Sequence, residues 1–127
     1  MQQIPGLYIV DDSEKGRGVY TALDLTAGST IEVCPVIVIP SEQVEALHHT
    51  LLHDYYFTWP DGKDSIALAL GYGSLYNHSP TPNALFIMDL PRQEMIVACK
   101  ADIAAGEEIT IDYTGDEEGS TWFTVVE

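Results

Sequence analysis

The apolar residues of this chain fall in short, β-branched runs separated by turn formers. Leu7-Tyr8-Ile9-Val10 is the first; Thr30-Ile31-Glu32-Val33 and Val36-Ile37-Val38-Ile39 follow, with Pro35 between them. Tyr55-Tyr56-Phe57-Thr58-Trp59 and Ser65-Ile66-Ala67-Leu68 flank Pro60-Asp61-Gly62-Lys63. That arrangement predicts a hairpin, because Asp-Gly supplies the positive φ that a tight turn needs. Residues 84–88 and 95–98 flank a second turn at Leu90-Pro91-Arg92-Gln93, and Ile109-Thr110-Ile111 reads as a last core strand. Short strands punctuated by turns predict a mostly-β domain. One segment has the helical period instead. Val44, Leu47, Leu51 and Leu52 recur at i, i+3, i+7 and i+8, behind a Pro40 boundary, a Ser41 cap and Glu42 and Glu45 near the positive end of the dipole.

Two features break this pattern. Asp24-Leu25-Thr26-Ala27-Gly28-Ser29-Thr30-Ile31 is echoed by Asp102-Ile103-Ala104-Ala105-Gly106-Glu107-Glu108-Ile109. Each copy is a turn that uses Gly for its backbone and then feeds a strand, which suggests two similar units folded onto each other. Residues 70–83, LGYGSLYNHSPTPN, fit neither a strand nor a long helix. Their Gly and Pro content is that of a loop, and their polar and aromatic content is that of a loop carrying functional groups.

At 127 residues, 46% of them hydrophobic, the chain is long enough for one domain with one core. Five basic against 20 acidic residues, a net charge of −15, argues against direct contact with nucleic acid, whose phosphates need Lys and Arg. A negative field favours a basic partner, although it also serves plain solubility. No basic-then-apolar leader and no run long enough to span a bilayer are seen, so a cytoplasmic or nuclear protein with no membrane contact is expected. Cys34 and Cys99 lie in apolar surroundings without metal-ligand spacing and are expected to be buried, reduced thiols.

Three segments, in order, resemble the SET-domain family of protein-lysine methyltransferases: Lys15-Gly16-Arg17-Gly18-Val19-Tyr20, Asn77-His78-Ser79-Pro80-Thr81-Pro82-Asn83 and Gly106-Glu107-Glu108-Ile109-Thr110-Ile111-Asp112-Tyr113. The first alone is weak, and the other two are each fairly specific. The resemblance spans residues 5–114, so 1–127 is expected to be a single minimal SET domain with 115–127 as an acidic, aromatic tail. It implies a β-clip-like fold of several small curled sheets with a C-terminal pseudoknot and one short helix. The sequence departs from the family in having Ser74-Leu75 where many members have Arg-Phe, Pro80 where many have Cys, and no cysteine-rich zinc segment after the domain.

The resemblance also implies a site. Tyr113 would be the catalytic tyrosine at the methyl-transfer centre. Asn77 and His78 would hold S-adenosylmethionine, whose product is S-adenosylhomocysteine. Lys15, Gly16, Arg17 and Gly18 would line its other side, with Tyr113 against it. Tyr55, Tyr56, Tyr72 and Tyr76 are candidates for an aromatic substrate channel, because aromatic faces attract methylated ammonium groups. Tyr72 is favoured because Gly71 and Gly73 would leave it exposed. Trp122 and Phe123 are candidates to close the cofactor site and the channel in place of the missing zinc segment. The substrate would be a Lys-rich, histone-like or ribosomal protein, and a homodimer would complete the channel wall.

Two other readings stay open. Glu45, His49 and His53, spaced by four, could share a zinc-binding helix face, although no further ligand set accompanies them and a solvated face is favoured, so no metal is expected. A catalytically weak or inactive SET-like module could use its acidic surface to bind basic proteins.

Overall fold

The computed structural model describes residues 2–12, 14 and 16–113. Nine strands form two sheets among these residues: β1 (Leu7–Asp12), β2 (Gly16–Thr21), β3 (Thr30–Ile39), β4 (Tyr56–Thr58), β5 (Ile66–Ala69), β6 (Asn77–His78), β7 (Ala84–Asp89), β8 (Glu94–Cys99) and β9 (Glu108–Ile111). The smaller sheet has the order β1-β2-β9-β6 and the larger β4-β5-β3-β8-β7. Both hairpins expected from the turn chemistry are present, β4 against β5 and β7 against β8. Gly62 in the first turn has φ +76°, as Asp-Gly chemistry requires. One apolar core joins the sheets, with Ile31, Cys34, Met95 and Val97 from one and Val19, Ile109 and Ile111 from the other.

The two runs on either side of Pro35 are one strand, not two. Pro35 is the last β3 residue paired with β8, and Val36 is the first paired with β5. The missing N–H therefore falls where the strand changes partner, so the ladder continues past it. A register shift between Thr30 and Glu32 has a second effect. The extra residue lets two adjacent side chains, Ile31 and Glu32, both turn inward, and both are buried.

The helix is shorter than its apolar period implied. α1 (Ser41–His48) has Pro40, not Ser41, in the capping position. Thr50 then ends the pattern: its hydroxyl donates to the Leu47 carbonyl and accepts from the Leu52 N–H, starting a separate 3-10 turn over Leu51–Asp54. The break also disrupts the expected Glu45-His49-His53 face, since His49 caps α1 and His53 belongs to the next turn. Among the described residues no cluster of three or more His, Cys, Asp or Glu is placed to hold a metal ion.

The internal echo is a reciprocal clasp. Leu25 and Ile103 form an antiparallel bridge, with N–H···O distances of 2.7 and 2.9 Å. The Asp102 carboxylate accepts from the Ala27 N–H at 2.8 Å, and the Asp24 carboxylate accepts from the Ala105 N–H at 2.9 Å. Each copy thus uses its aspartate to hold the other copy's turn. The clasp joins the entry to β3 to the entry to β9.

β9 lies between β2 and β6, running antiparallel to the first and parallel to the second. The strip after β6 returns along its flank. The Asn83 side chain acts there as a piece of strand: its Nδ2 donates to the Glu108 carbonyl at 2.8 Å, and its Oδ1 accepts from the Thr110 N–H at 2.8 Å. β9 is thus enclosed by segments distant in sequence, β2 on one side and the 77–83 strip on the other. Periodicity could not have found it.

Candidate active site

The enclosed strand carries Tyr113 into contact with the 76–78 strip. The Tyr113 N–H donates to His78 Nδ1 at 3.0 Å, and its hydroxyl donates to the Tyr76 carbonyl. Acceptance at Nδ1 places the proton of a neutral His78 on Nε2. The Tyr113 ring packs edge-on against Phe57, with centroids 5.9 Å apart, and lies 5.3 Å from the His78 ring. Three sides of the residue are therefore held, yet it remains 42% exposed. Burial of the hydroxyl, followed by the charge effects of Tyr55, Glu108 and Asp54, pushes the Tyr113 pKa above its ordinary value.

The open side of Tyr113 faces a cavity of about 470 Å³. Gly16 and Arg17 at the start of β2, and Asn77 of β6, line it. Tyr55 and Tyr56 supply aromatic surface, and His53, Asp54, Ser74 and Leu75 complete the lining. The size is that of a small-molecule site.

Gly18 lies where β2, β6 and β9 converge. A Cβ there would overlap the Glu108 carboxylate and come within 2.8 Å of Asn77 Nδ2, which itself donates to Glu108 at 2.7 Å. The glycine is needed for this close approach and not for an unusual φ. Gly18→Ala is expected to push Asn77 out of place and weaken binding of a small-molecule ligand in the cavity by about tenfold or more. Titration calorimetry checks it, and unchanged affinity would show that the neighbours simply yield.

The chain is similar to known proteins over most of its length. The SET domain family profile matches residues 16–114. A Schizosaccharomyces pombe protein named histone-lysine N-methyltransferase, H3 lysine-37 specific, is 35% identical over 118 residues, which is 92% of this chain and 76% of that protein. The chain belongs to the SET domain family. Its class is that of the protein-lysine methyltransferases. The crystal structure of a candidate histone methyltransferase from Plasmodium falciparum superposes with a TM-score of 0.70 and 32% identity, covering 93% of this chain and 99% of that one. The Neurospora SET domain protein DIM-5, a histone lysine methyltransferase, shares the fold at a TM-score of 0.65 and 20% identity, over 88% of this chain and 53% of its own.

The SET domain brings Gly16, Arg17, Asn77, Tyr55 and Tyr113 to one cavity. Gly18 sits directly behind them. His78 is not on the cavity wall; it is exposed and holds the Tyr113 backbone. Lys15, Trp122 and Phe123 lie outside the described residues.

Two channel candidates require correction. Tyr76 is fully buried, and its hydroxyl donates to Glu32 at 2.7 Å, so only its carbonyl faces the site chemistry. Tyr72 is half-buried, packs on the core and does not line the cavity. Its flanking glycines do the opposite of exposing it. Gly71 has φ +63° and sits so close to Glu32 that a Cβ would overlap the carboxylate, while a Cβ on Gly73 would lie 2.9 Å from Cys34 Sγ. Both let the turn press inward.

His53 and Asp54 join the cavity without having been candidates for it. Their sequence context signals only a polar helix face, and the Thr50 break re-aims them. Ser74 and Leu75 line it where many relatives have Arg-Phe, and Ser74 also accepts from the Ala69 N–H at 3.1 Å. Cys34 and Cys99 are both buried and free, and burial, then Glu32, pushes the Cys34 thiol well above its ordinary pKa.

Proposed function

We propose that the protein transfers a methyl group from S-adenosylmethionine to a lysine side chain of a basic, Lys-rich protein of the histone-like or ribosomal kind. The observation that carries this reading is the convergence of Asn77 and Tyr113 on one cavity that Gly16, Arg17, Tyr55 and Tyr56 also line, with His53, Asp54, Ser74 and Leu75. The residues fit the donor. Gly16 and Gly18 keep side chains away from it, Arg17 can meet a carboxylate, and Asn77 offers a carboxamide. When bound, S-adenosylmethionine supplies an electrophilic methyl group on a positive sulfur and leaves as S-adenosylhomocysteine.

The lysine must arrive neutral, which near pH 7 costs about 4–5 kcal/mol from a pKa of about 10.4. Tyr55, Tyr56 and Tyr113 reduce that cost by surrounding the amine with aromatic surface that disfavours the ammonium form. Tyr113 donates its own proton to the Tyr76 carbonyl, so its oxygen presents lone pairs to the cavity. Those lone pairs orient the amine by accepting its N–H. Fixing the nucleophile in this way removes part of the entropic barrier.

The charge of −15 supports a basic substrate by drawing it in. The fission-yeast relative's histone substrate points the same way. In this reading a second copy of the chain completes the wall, and the protein works in the cytoplasm or nucleus. Transfer of labelled methyl from S-adenosylmethionine to a panel of histones and ribosomal proteins tests it. Label should appear on lysine; no transfer to any basic protein, with no S-adenosylhomocysteine binding, overturns the proposal.

A further inference from the structure

We propose that Glu108 is a positioning residue of the donor site, acting through Asn77 to make the cavity select ligands that carry an amino-acid ammonium group. This rests on the donor reading above and adds a residue to it. Glu108 Oε2 accepts from Asn77 Nδ2 at 2.7 Å. A carboxylate can only accept, so it selects the NH₂ edge of the carboxamide and determines which way the group faces. The oxygen edge is left for the other side, and Asn77 lines the cavity. An acceptor aimed there suits the donor's ammonium and repels its carboxylate.

The pair is held from three directions. Gly18 closes on it from β2, where even a methyl group would overlap the carboxylate. The Glu108 main chain is pinned by the Asn83 amide at 2.8 Å. Asn77 is in register with Thr110 on the parallel neighbour. A charged acceptor behind the amide also polarises it, which strengthens the bond that its oxygen makes in front.

The test compares two ligands. S-Adenosylhomocysteine carries the amino-acid group, and methylthioadenosine keeps the adenosine and thioether without it. Titration calorimetry on the native protein should show a preference for S-adenosylhomocysteine. Glu108→Ala should weaken S-adenosylhomocysteine about tenfold while leaving methylthioadenosine within about twofold. Glu108→Gln, which keeps an acceptor for Asn77 Nδ2, should restore most of the preference. The Glu108→Ala/Asn77→Ala double variant should lose no more than Asn77→Ala alone, because the effect of Glu108 passes through that one group. If Glu108→Ala does not fold, Glu108→Thr, too short to reach Asn77, takes its place. Equal weakening of both ligands means a merely structural role and overturns the proposal, as does an unchanged ratio. A Glu108→Gln variant as damaged as Glu108→Ala also overturns it. A native protein that binds neither ligand overturns the donor reading itself.

Discussion

Replacing Tyr113 by phenylalanine is expected to slow methyl transfer by about a hundredfold or more while leaving S-adenosylhomocysteine affinity within about twofold. The ring makes its contacts with Phe57 and His78 through carbon, and the backbone bond to His78 does not involve the side chain. The substitution therefore keeps the packing and removes one oxygen. That oxygen is the only part of Tyr113 that can accept a hydrogen bond from the amine while donating to the Tyr76 carbonyl. The loss should appear in kcat more than in the KM for the donor.

The pH profile follows from the same hydroxyl. Burial, then the charge effects of Tyr55, Glu108 and Asp54, holds its pKa above the ordinary value, so the proton and the bond to Tyr76 are kept to higher pH than in a free tyrosine. The rate should then rise with pH as the substrate amine deprotonates, without a fall at the ordinary tyrosine pKa. Single-turnover transfer of labelled methyl at several pH values checks both expectations. A phenylalanine variant as fast as the native protein would remove Tyr113 from the reaction.

Glu32→Ala is expected to destabilise the fold by about 3 kcal/mol or more. Glu32 is a buried carboxylate, 3% exposed, with three donors converging on it. Tyr76 donates its hydroxyl at 2.7 Å, Tyr72 its backbone N–H at 3.0 Å, and Gln3 its side-chain amide at 3.1 Å. Alanine leaves a cavity and strands the Tyr76 hydroxyl in the core, where an unmet donor costs about 1–3 kcal/mol. Glu32→Gln keeps an acceptor and should lose clearly less. Urea unfolding measures the difference. A loss below about 1 kcal/mol would mean that water replaces the carboxylate. Because Tyr72 and Tyr76 lead directly into Asn77, Glu32→Ala should also lower donor affinity at temperatures where it still folds.

How much of this was legible beforehand varies by residue. The β4–β5 and β7–β8 hairpins could be read because their pairing is local and their turns carry the right residues. The clasp could be half-read: the repeat of Asp-aliphatic-x-Ala-Gly was visible, but the exchange of aspartates between copies was not. β2 was visible only as a glycine motif, since Gly-Arg-Gly has no strand character of its own. It pairs with β1 along its length and borrows β9 on the other side. The helix was overextended because an apolar period does not register the hydroxyl at Thr50 that stops it.

The candidate site divides the same way. Asn77, Gly16, Arg17 and Tyr113 were found from motifs, which record residues that a family keeps for chemistry. The tyrosines were not sorted by motif. Tyr55 and Tyr56 reach the cavity, whereas Tyr76 gives its hydroxyl and Tyr72 its backbone N–H to Glu32, and nothing local distinguishes the two pairs. The deciding feature is a buried acid on β3, some 40 residues earlier in the chain, and the bulge that turns it inward.

By itself the sequence determined the short strands, their hairpins, the acidic character and the identity of the residues with reactive or ligand-binding groups. These depend on neighbours a few positions away, or on no neighbours at all. Only the tertiary structure decided which tyrosine faces the cavity, which glycine makes room for Asn77 and Glu108, and which histidine supports Tyr113. The first depends on Glu32 of β3 reaching the 72–76 turn, and the other two on β9 lying between β2 and β6; both are contacts between distant segments whose closure has no local signature.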